Sequence, residues 1–395
     1  MKFNYLFVIL IAITTSMSQS LSDLSFGTDD TFEVMTWNIE WFPKNGQTTV
    51  DSVSAIIQSL DIDLYAFQEI TDTTLFKQMI YDIDDYEYYF QSSWFGGLAF
   101  VYKTSVIEID SMYEIYTEEP YWRPFPRSPM VMDMNYQDQK YYIINNHFKC
   151  CGNGTMDLSD SWDEETRRFD ASNLLKDYID VNLPDENVIV LGDLNDILTD
   201  ASAQNVFQTI LDDDGNYLFA DIDIANGPSS GWSYPSWPSH IDHIFITNEL
   251  FDSFGNNNSI IQTIEIDNYM DGGFNAYNEI ISDHLPVALM LANDLDLIDN
   301  VTLPQNYYLT NYPNPFNPTT VLDYDIPENS FVNITVYDMM GRRVKTLVNA
   351  NQSAGFKSVV WDATNFVGQP VATGLYMYTI VAGDFRQTKK MAFIK

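Results

Sequence analysis

Val188-Ile189-Val190-Leu191-Gly192-Asp193-Leu194-Asn195 decides the architecture. Four consecutive apolar residues, mostly β-branched, read as a strand buried on both faces, because a half-solvated strand would alternate. The run breaks at a glycine and delivers a carboxylate and an amide to the strand's end. Taken alone, that Asp-Leu-Asn reads as a turn. Other polar groups stand in the same relation to strand-like runs: Asn38 after Phe32 to Trp37, Glu69 after Leu64 to Phe67, and His147 after Tyr141 to Asn145. Asp242 precedes Ile244 to Ile246, and Asp283-His284 precedes Val287 to Leu291. Buried strands of one sheet system would present all of these to a shared cleft.

Helical spacing separates the strands. Val50, Val53, Ile56, Ile57 and Leu60 mark one helix, with Thr48 or Asp51 as candidate cap, and Ala171, Leu174, Leu175, Tyr178 and Ile179 mark another that begins near Asp163. Strands mixed with helices predict a layered α/β domain. After Asp294 to Pro304 the pattern changes. Tyr312-Pro313-Asn314-Pro315-Phe316-Asn317-Pro318 cannot be regular. Strand-like runs then recur at Thr320–Ile326, Val332–Tyr337, Arg343–Val348, Lys357–Trp361, Leu375–Val381 and Thr388–Ile394, with glycines between them, as in an immunoglobulin-like sandwich.

Composition sets outer limits. The chain has 395 residues, 45% hydrophobic and 15% aromatic, which excludes general disorder. Nineteen Lys+Arg against 56 Asp+Glu give a net charge of −37, which argues against a generic basic nucleic-acid binder. Residues 31–302 carry ten basic and 47 acidic residues; residues 303–395 carry eight and six, so the two parts differ in kind. The acidic surface suits salty surroundings, where its field is screened within about 8 Å and need not repel a polyanion. The two cysteines, Cys150 and Cys151, are adjacent, which rules out a disulfide scaffold and a four-cysteine zinc site. Lys2, the apolar stretch Tyr5 to Ile13 and the small residues after it read as a secretory signal, too short for the roughly 18–20 residues of a membrane span. Export would let the cysteine pair oxidise; two free thiols are the alternative.

The polar groups at the strand ends share a chemistry. Carboxylates and amides without thiolates suit a hard cation such as Mg²⁺, with Mn²⁺ or Ca²⁺ as alternatives. Two histidines beside those carboxylates are expected to have raised pKa values and to donate to a phosphate oxygen or leaving group. Together they suit metal-assisted phosphoester hydrolysis.

The motifs Met35-Thr36-Trp37-Asn38-Ile39-Glu40, Phe67-Gln68-Glu69, Asn145-Asn146-His147-Phe148, Gly192-Asp193-Leu194-Asn195, Ile241-Asp242-His243-Ile244 and Ser282-Asp283-His284-Leu285-Pro286-Val287 resemble, in this order, those of the endonuclease/exonuclease/phosphatase superfamily. The resemblance spans residues 31–293. It implies a two-layer β-sandwich flanked by helices, four layers α/β/β/α. It implies Glu69 as principal metal ligand, Asn38 as its companion on the metal or on a phosphate oxygen, and Asp283 as a second metal contact, direct or through water. It further implies Asp193 as the group that orients and deprotonates the attacking water, Asn195 as the amide that steadies the pentacovalent phosphate, His284 as the imidazole that stabilises or protonates it, and Asp242 as the carboxylate that holds the His284 ring. Arg127, in Arg127-Ser128-Pro129-Met130, resembles the arginine that enters the phosphate cleft. His147 points to the deoxyribonuclease, sphingomyelinase and 5-phosphatase branches rather than the apurinic-site endonucleases. The sequence departs from many relatives at His240 and His243, which are expected to pack or support. The aromatic loop Gly231 to Pro238 is expected to stack on bases, touch lipid, or pack as a lid.

In the tail, Tyr312-Pro313-Asn314-Pro315-Phe316, Tyr337 to Arg342 and Gly374-Leu375-Tyr376 resemble the C-terminal sorting domain of type IX secretion. The expected organisation is a signal peptide at 1–20, a catalytic domain at 31–293, a linker at 294–302 and a sorting domain at 303–395. The expected protein is a monomeric, secreted or cell-surface phosphodiesterase, foremost a nuclease. A hydrolase of phospholipids or small phosphoesters is the alternative, and a non-catalytic surface module the remaining one.

Overall fold

In the computed structural model, residues 20–28, 30–91, 96–256, 258–292, 306–327, 330–352, 354–383 and 385–394 are described. The expected signal peptide, save its last residue, and the 294–302 linker lie outside them. The chain divides after Asn293 into two compact units.

The first unit is built from two parallel strand pairs, each of which needs a helical crossover. Strand β1 (Thr31–Phe42) crosses through helix α1 (Gln47–Leu60) to β2 (Leu64–Ile70), which lies parallel beside it. Helix α2 (Thr73–Tyr81) leads to the hairpin of β3 (Tyr86–Gln91) and β4 (Gly97–Lys103). Then β5 (Ile107–Glu114), β6 (Met130–Tyr136) and β7 (Gln139–His147) form a meander. Helix α3 (Glu164–Asn182) carries the chain to β8 (Val188–Asp193), parallel to β7. The unit closes with α4 (Gln208–Leu211), β9 (Tyr217–Phe219), α5 (Ile222–Ala225), β10 (Asp242–Thr247), α6 (Phe251–Phe254), β11 (Ile260–Thr263), α7 (Gly273–Ile280) and β12 (Val287–Ala292). One six-stranded sheet runs β11-β12-β1-β2-β4-β3, the other β5-β6-β7-β8-β10-β9.

Three cores follow from the two-residue period of strands. Val34, Ala66, Phe100 and Leu289 of the first sheet meet Met132, Ile143, Ile189 and Ile244 of the second in the middle layer. Their neighbours point the other way. Met35, Trp37 and Phe67 pack on Val53, Ile56 and Ile57 of α1, and Ile144, Val190 and Phe245 pack on Ala171, Leu175 and Ile179 of α3. The result is helix on sheet on sheet on helix, the four layers expected.

Two local details differ from the sequence reading. Helix α1 starts at Gln47 with Gly46 as N-cap (φ 55°), rather than at Thr48 or Asp51. A left-handed entry is open to glycine. The buried face of α3 also includes Glu165 and Arg168. Arg168 donates to the carbonyls of Lys149 (2.8 Å) and Cys151 (2.7 Å) and to Asp196 (2.8 Å), so a helix charge staples two loops. Cys150 and Cys151 are free and exposed.

The second unit has two sheets around Leu322, Ile334, Trp361 and Tyr378. One is three-stranded: β13 (Tyr308–Tyr312), β14 (Thr320–Ile326) and β17 (Gly355–Trp361). The other is four-stranded: β16 (Arg343–Gln352), β15 (Ser330–Asp338), β18 (Gly374–Ala382) and β19 (Phe385–Phe393). This is the immunoglobulin-like sandwich expected. No helix among the described residues is long and apolar enough to cross a membrane.

Candidate active site

Strand register brings the motifs to one edge. His147 ends β7 opposite Asp193 of β8, and Asp193 lies opposite Asp242 of β10. The join between neighbours is tight at Gly192: a Cβ there would stand 2.1 Å from the Asn146 carbonyl oxygen, at a φ of +150°. Gly192→Ala is therefore expected to lower stability by about 3 kcal/mol, read as a drop in melting midpoint. An unchanged midpoint would show that β7 and β8 can separate freely here.

Asp193 is the hub. Its Oδ2 accepts from Asn38 Nδ2 (3.0 Å) and lies 3.4 Å from His147 Nε2 and 3.9 Å from His284 Nε2. Its Oδ1 accepts from the Asn195 amide (3.1 Å). His284 Nδ1 donates to Asp242 Oδ2 (2.8 Å), which fixes the ring. The backbone beneath is pinned from two sides. Ser282 Oγ donates to the Asn38 carbonyl (2.7 Å) and accepts from the His284 amide (3.0 Å). Tyr277 accepts from Trp37 Nε1 (2.9 Å) and donates to the His284 carbonyl (2.6 Å).

Glu69 sits on the other flank. Its Oε1 is 3.8 Å from His147 Nε2, and its Oε2 accepts from the Trp41 amide (3.3 Å). Glu69 and Asn195 both have positive φ, 64° and 56°. Asparagine tolerates this conformation, whereas for glutamate it is strained by about 1–3 kcal/mol, a feature that clusters at functional sites. Arg127 reaches the same place. Its Nε donates to the Gly96 carbonyl (2.9 Å), and the Glu69 and Asp193 carboxylates oppose the burial that lowers its pKa.

Electrostatics separate the two histidines. Burial opposes charging His284, but Asp242 and Asp193 outweigh it and raise its pKa to about 10, so it is an imidazolium at neutral pH. His147 departs from the expectation. Burial, with Arg127 and His284 nearby, holds it well below its usual value, and its Nδ1 is buried without a hydrogen-bond partner. A neutral ring keeps one N–H but is a far weaker acid than an imidazolium. Asp193 is pushed up to about 7 by burial first, then by Asp242 and Glu69, against the pull of His284 and Asn38.

The oxygen donors of Asn38 and Glu69 flank Asp193 and His147 and fit a hard divalent cation. Asp283 stands apart. Its Oδ1 lies 3.8 Å from His284 Nε2, and no close His/Cys/Asp/Glu set among the described residues joins it to Glu69.

Sequence reasoning missed three supports. Tyr234 places its ring 4.7 Å from that of His284; burial and the Asp283 carboxylate push its hydroxyl up to about 12. Glu40 accepts from the Asp283 amide (2.8 Å). Asp221 accepts from His240 Nε2 (3.0 Å), from His243 Nδ1 and from the Ile244 amide (2.9 Å). Glu40 lies within a quoted motif and was findable; Asp221 has no motif and meets the histidines only through the pairing of β9 with β10.

Residues 319–384 match the FlgD Ig-like domain. Among solved structures, D. rerio TDP2 complexed with single strand DNA product is 14% identical and covers 67% of this chain and 100% of its own, with a TM-score of 0.51, which shows a shared fold. The human Nocturnin catalytic domain with bound sulfate anion is 14% identical over 66% of this chain and 94% of its own (TM-score 0.48). An endonuclease/exonuclease/phosphatase family protein from Bacteroides thetaiotaomicron is 16% identical over 66% and 97% (TM-score 0.45). No curated protein matches the chain at a significant level. Residues 35–284, well over half of the chain, match the family model, so the chain belongs to the Endonuclease/Exonuclease/phosphatase family and is a metal-dependent phosphoric ester hydrolase.

Proposed function

We propose that the protein is an exported, Mg²⁺-dependent phosphodiesterase that hydrolyses nucleic acid outside the cell. The observation that carries the reading is the placement of Asp193 and His284 3.9 Å apart, with the His284 ring held by Asp242 at 2.8 Å. That pair offers a base for the attacking water and, beside it, a cation for the phosphoryl oxygens. Asp193 takes the proton of the attacking water. His284, held by Asp242, stabilises the phosphoryl oxygens and supplies a proton to the leaving oxygen. Asn195 and Arg127 bind the non-bridging oxygens. Mg²⁺, held by Asn38 and Glu69, would supply charge neutralisation at the phosphate. The tail would direct type IX export, on the strength of its quoted motifs.

The test uses the full chain on plasmid DNA, RNA, sphingomyelin and bis-p-nitrophenyl phosphate, with Mg²⁺ and with EDTA. Nucleic acid is expected to be cleaved and EDTA to abolish cleavage. Lipid hydrolysis alone would replace the nuclease reading, and silence on all four would leave a surface module. For export, removal of residues 303–395 in the native host is expected to retain the protein inside the outer membrane.

A further inference from the structure

We propose that the cavity beside Asn195 is a nucleobase subsite, holding the base of the nucleotide that adjoins the scissile phosphate. The proposal rests on the nuclease reading above. The cavity measures about 440 Å³ and is lined by Asn195, Asp196, Asp200, Trp232, Trp237 and Ile241 among others. That size lies in the roughly 300–1,000 Å³ range of small-molecule sites. Asn195 also belongs to the catalytic cluster, and Ile241 directly precedes Asp242. Asn195 therefore joins the cavity to the catalytic cluster.

The wall is built, not incidental. Tyr234 and Ser239 exchange backbone hydrogen bonds (3.0 and 3.2 Å), closing a short hairpin. The base of the hairpin carries Tyr234 against His284, and its tip carries Trp237, which is 79% exposed. Trp232 donates its Nε1 to the Ile224 carbonyl (3.1 Å), which fixes its indole. An exposed tryptophan on a closed hairpin beside a phosphate centre is the arrangement that stacks on bases.

Charge selects among occupants. No Lys or Arg lines the cavity, whereas Asp196 and Asp200 do. A second phosphate would be repelled, which disfavours a polyphosphorylated sugar. Asp196 is engaged by Arg168 (2.8 Å), while Asp200 offers a half-buried carboxylate. A planar ring with N–H donors can stack on Trp237 and donate to Asp200. A quaternary ammonium would find the same aromatic and acid, but its head group donates no hydrogen bond to Asp200.

Two measurements on the full chain test this. Calorimetric titration with adenosine, which lacks phosphate, is expected to show binding that weakens at least tenfold in Trp237→Ala; choline chloride is expected not to bind. In parallel, kcat/KM is compared for a short oligonucleotide and for its counterpart with a tetrahydrofuran abasic unit beside the cleaved bond. The base-bearing substrate is expected to be preferred by about 5- to 150-fold, the range of one base–aromatic stack, and Trp237→Ala to bring the ratio close to one. Trp237 is largely exposed, so the variant keeps the fold, which its melting midpoint checks. Parity between the two substrates in the unaltered protein, or an unchanged ratio in Trp237→Ala, would overturn the subsite while leaving the nuclease reading intact. If nucleic acid is not cleaved at all, the nuclease reading fails and the titration decides alone: adenosine binding sensitive to Trp237 supports the subsite, and absent binding, or binding of choline in its place, overturns it.

Discussion

Asp193→Asn is expected to lower kcat by about 10²- to 10⁴-fold, the contribution of a positioned general base, while the melting midpoint holds or rises. The argument for the rate is geometric. Asp193 is buried, with Asn38, His147, His284 and Asn195 around its two oxygens at 3.0 to 3.9 Å. His284 cannot take the base role at neutral pH, because its pKa near 10 leaves it protonated. His147 is neutral, but its Nε2 is the nitrogen turned toward Asp193 and Glu69. Asparagine at 193 keeps an oxygen for the Asn195 amide but turns an NH₂ toward donors. The argument for stability has a definite sign. A carboxyl raised to about 7 in the folded state opposes folding above its unfolded value, increasingly as pH rises from about 4 to 7, so replacing it removes that burden at neutral pH. Steady-state kinetics and thermal unfolding of the same preparation check both halves. Full activity would remove Asp193 as the base; a collapsed midpoint would make it a structural residue.

How far the site could be read from sequence follows from where each residue's partners lie. Asp193, His147 and His284 end or precede buried apolar runs, and such runs are legible because burial on both faces leaves no polar residue inside them. Helices α1 and α3 were legible through spacing, and α3 begins where expected, with Asp163 as N-cap accepting from the Thr166 amide (2.8 Å). Strands β3, β4, β5, β6, β9 and β11 were not identified. β5 and β11 alternate exposed and half-buried residues along much of their length, and edge strands carry weak apolar signals. Helix α7 is eight residues long and was missed, yet it supplies Tyr277, which holds the His284 carbonyl. The charge states were least legible. His147 and His284 both stand beside Asp193, and composition gives them the same prospects. Burial with Arg127 nearby neutralises one, and the Asp242 hydrogen bond charges the other.

Asp221→Asn is expected to cost about 3–5 kcal/mol of stability, the usual effect of breaking a buried ion pair from one side. His243 places both ring nitrogens against acceptors, Nδ1 on Asp221 and Nε2 on the Asp196 carbonyl (2.8 Å), so the folded protein holds it as an imidazolium. Burial opposes that charge, and Asp221 outweighs it, with Asp242 adding; the net shift of His243 is upward. The same contacts hold Asp221 below the ordinary carboxylate range, against the desolvation that raises it. His240 completes the unit by accepting from the Ser233 amide (3.2 Å), and Ser233 in turn accepts from the amides of Ile241 (3.3 Å), Asp242 (3.2 Å) and, through its carbonyl, Leu285 (2.7 Å). The lowered Asp221 contributes stability that is present above its unfolded pKa of about 4 and is lost as pH falls through the folded value. The raised His243 contributes stability that is full below about pH 6.5 and is lost as pH rises through its folded value. The difference in urea midpoint between the unaltered protein and Asp221→Asn is therefore expected to be greatest between about pH 4 and 6.5 and to shrink on both sides. A difference that does not change with pH would mean that the triad is held by shape rather than by charge. A difference that grows above pH 7 would mean that His243 is neutral in the folded protein.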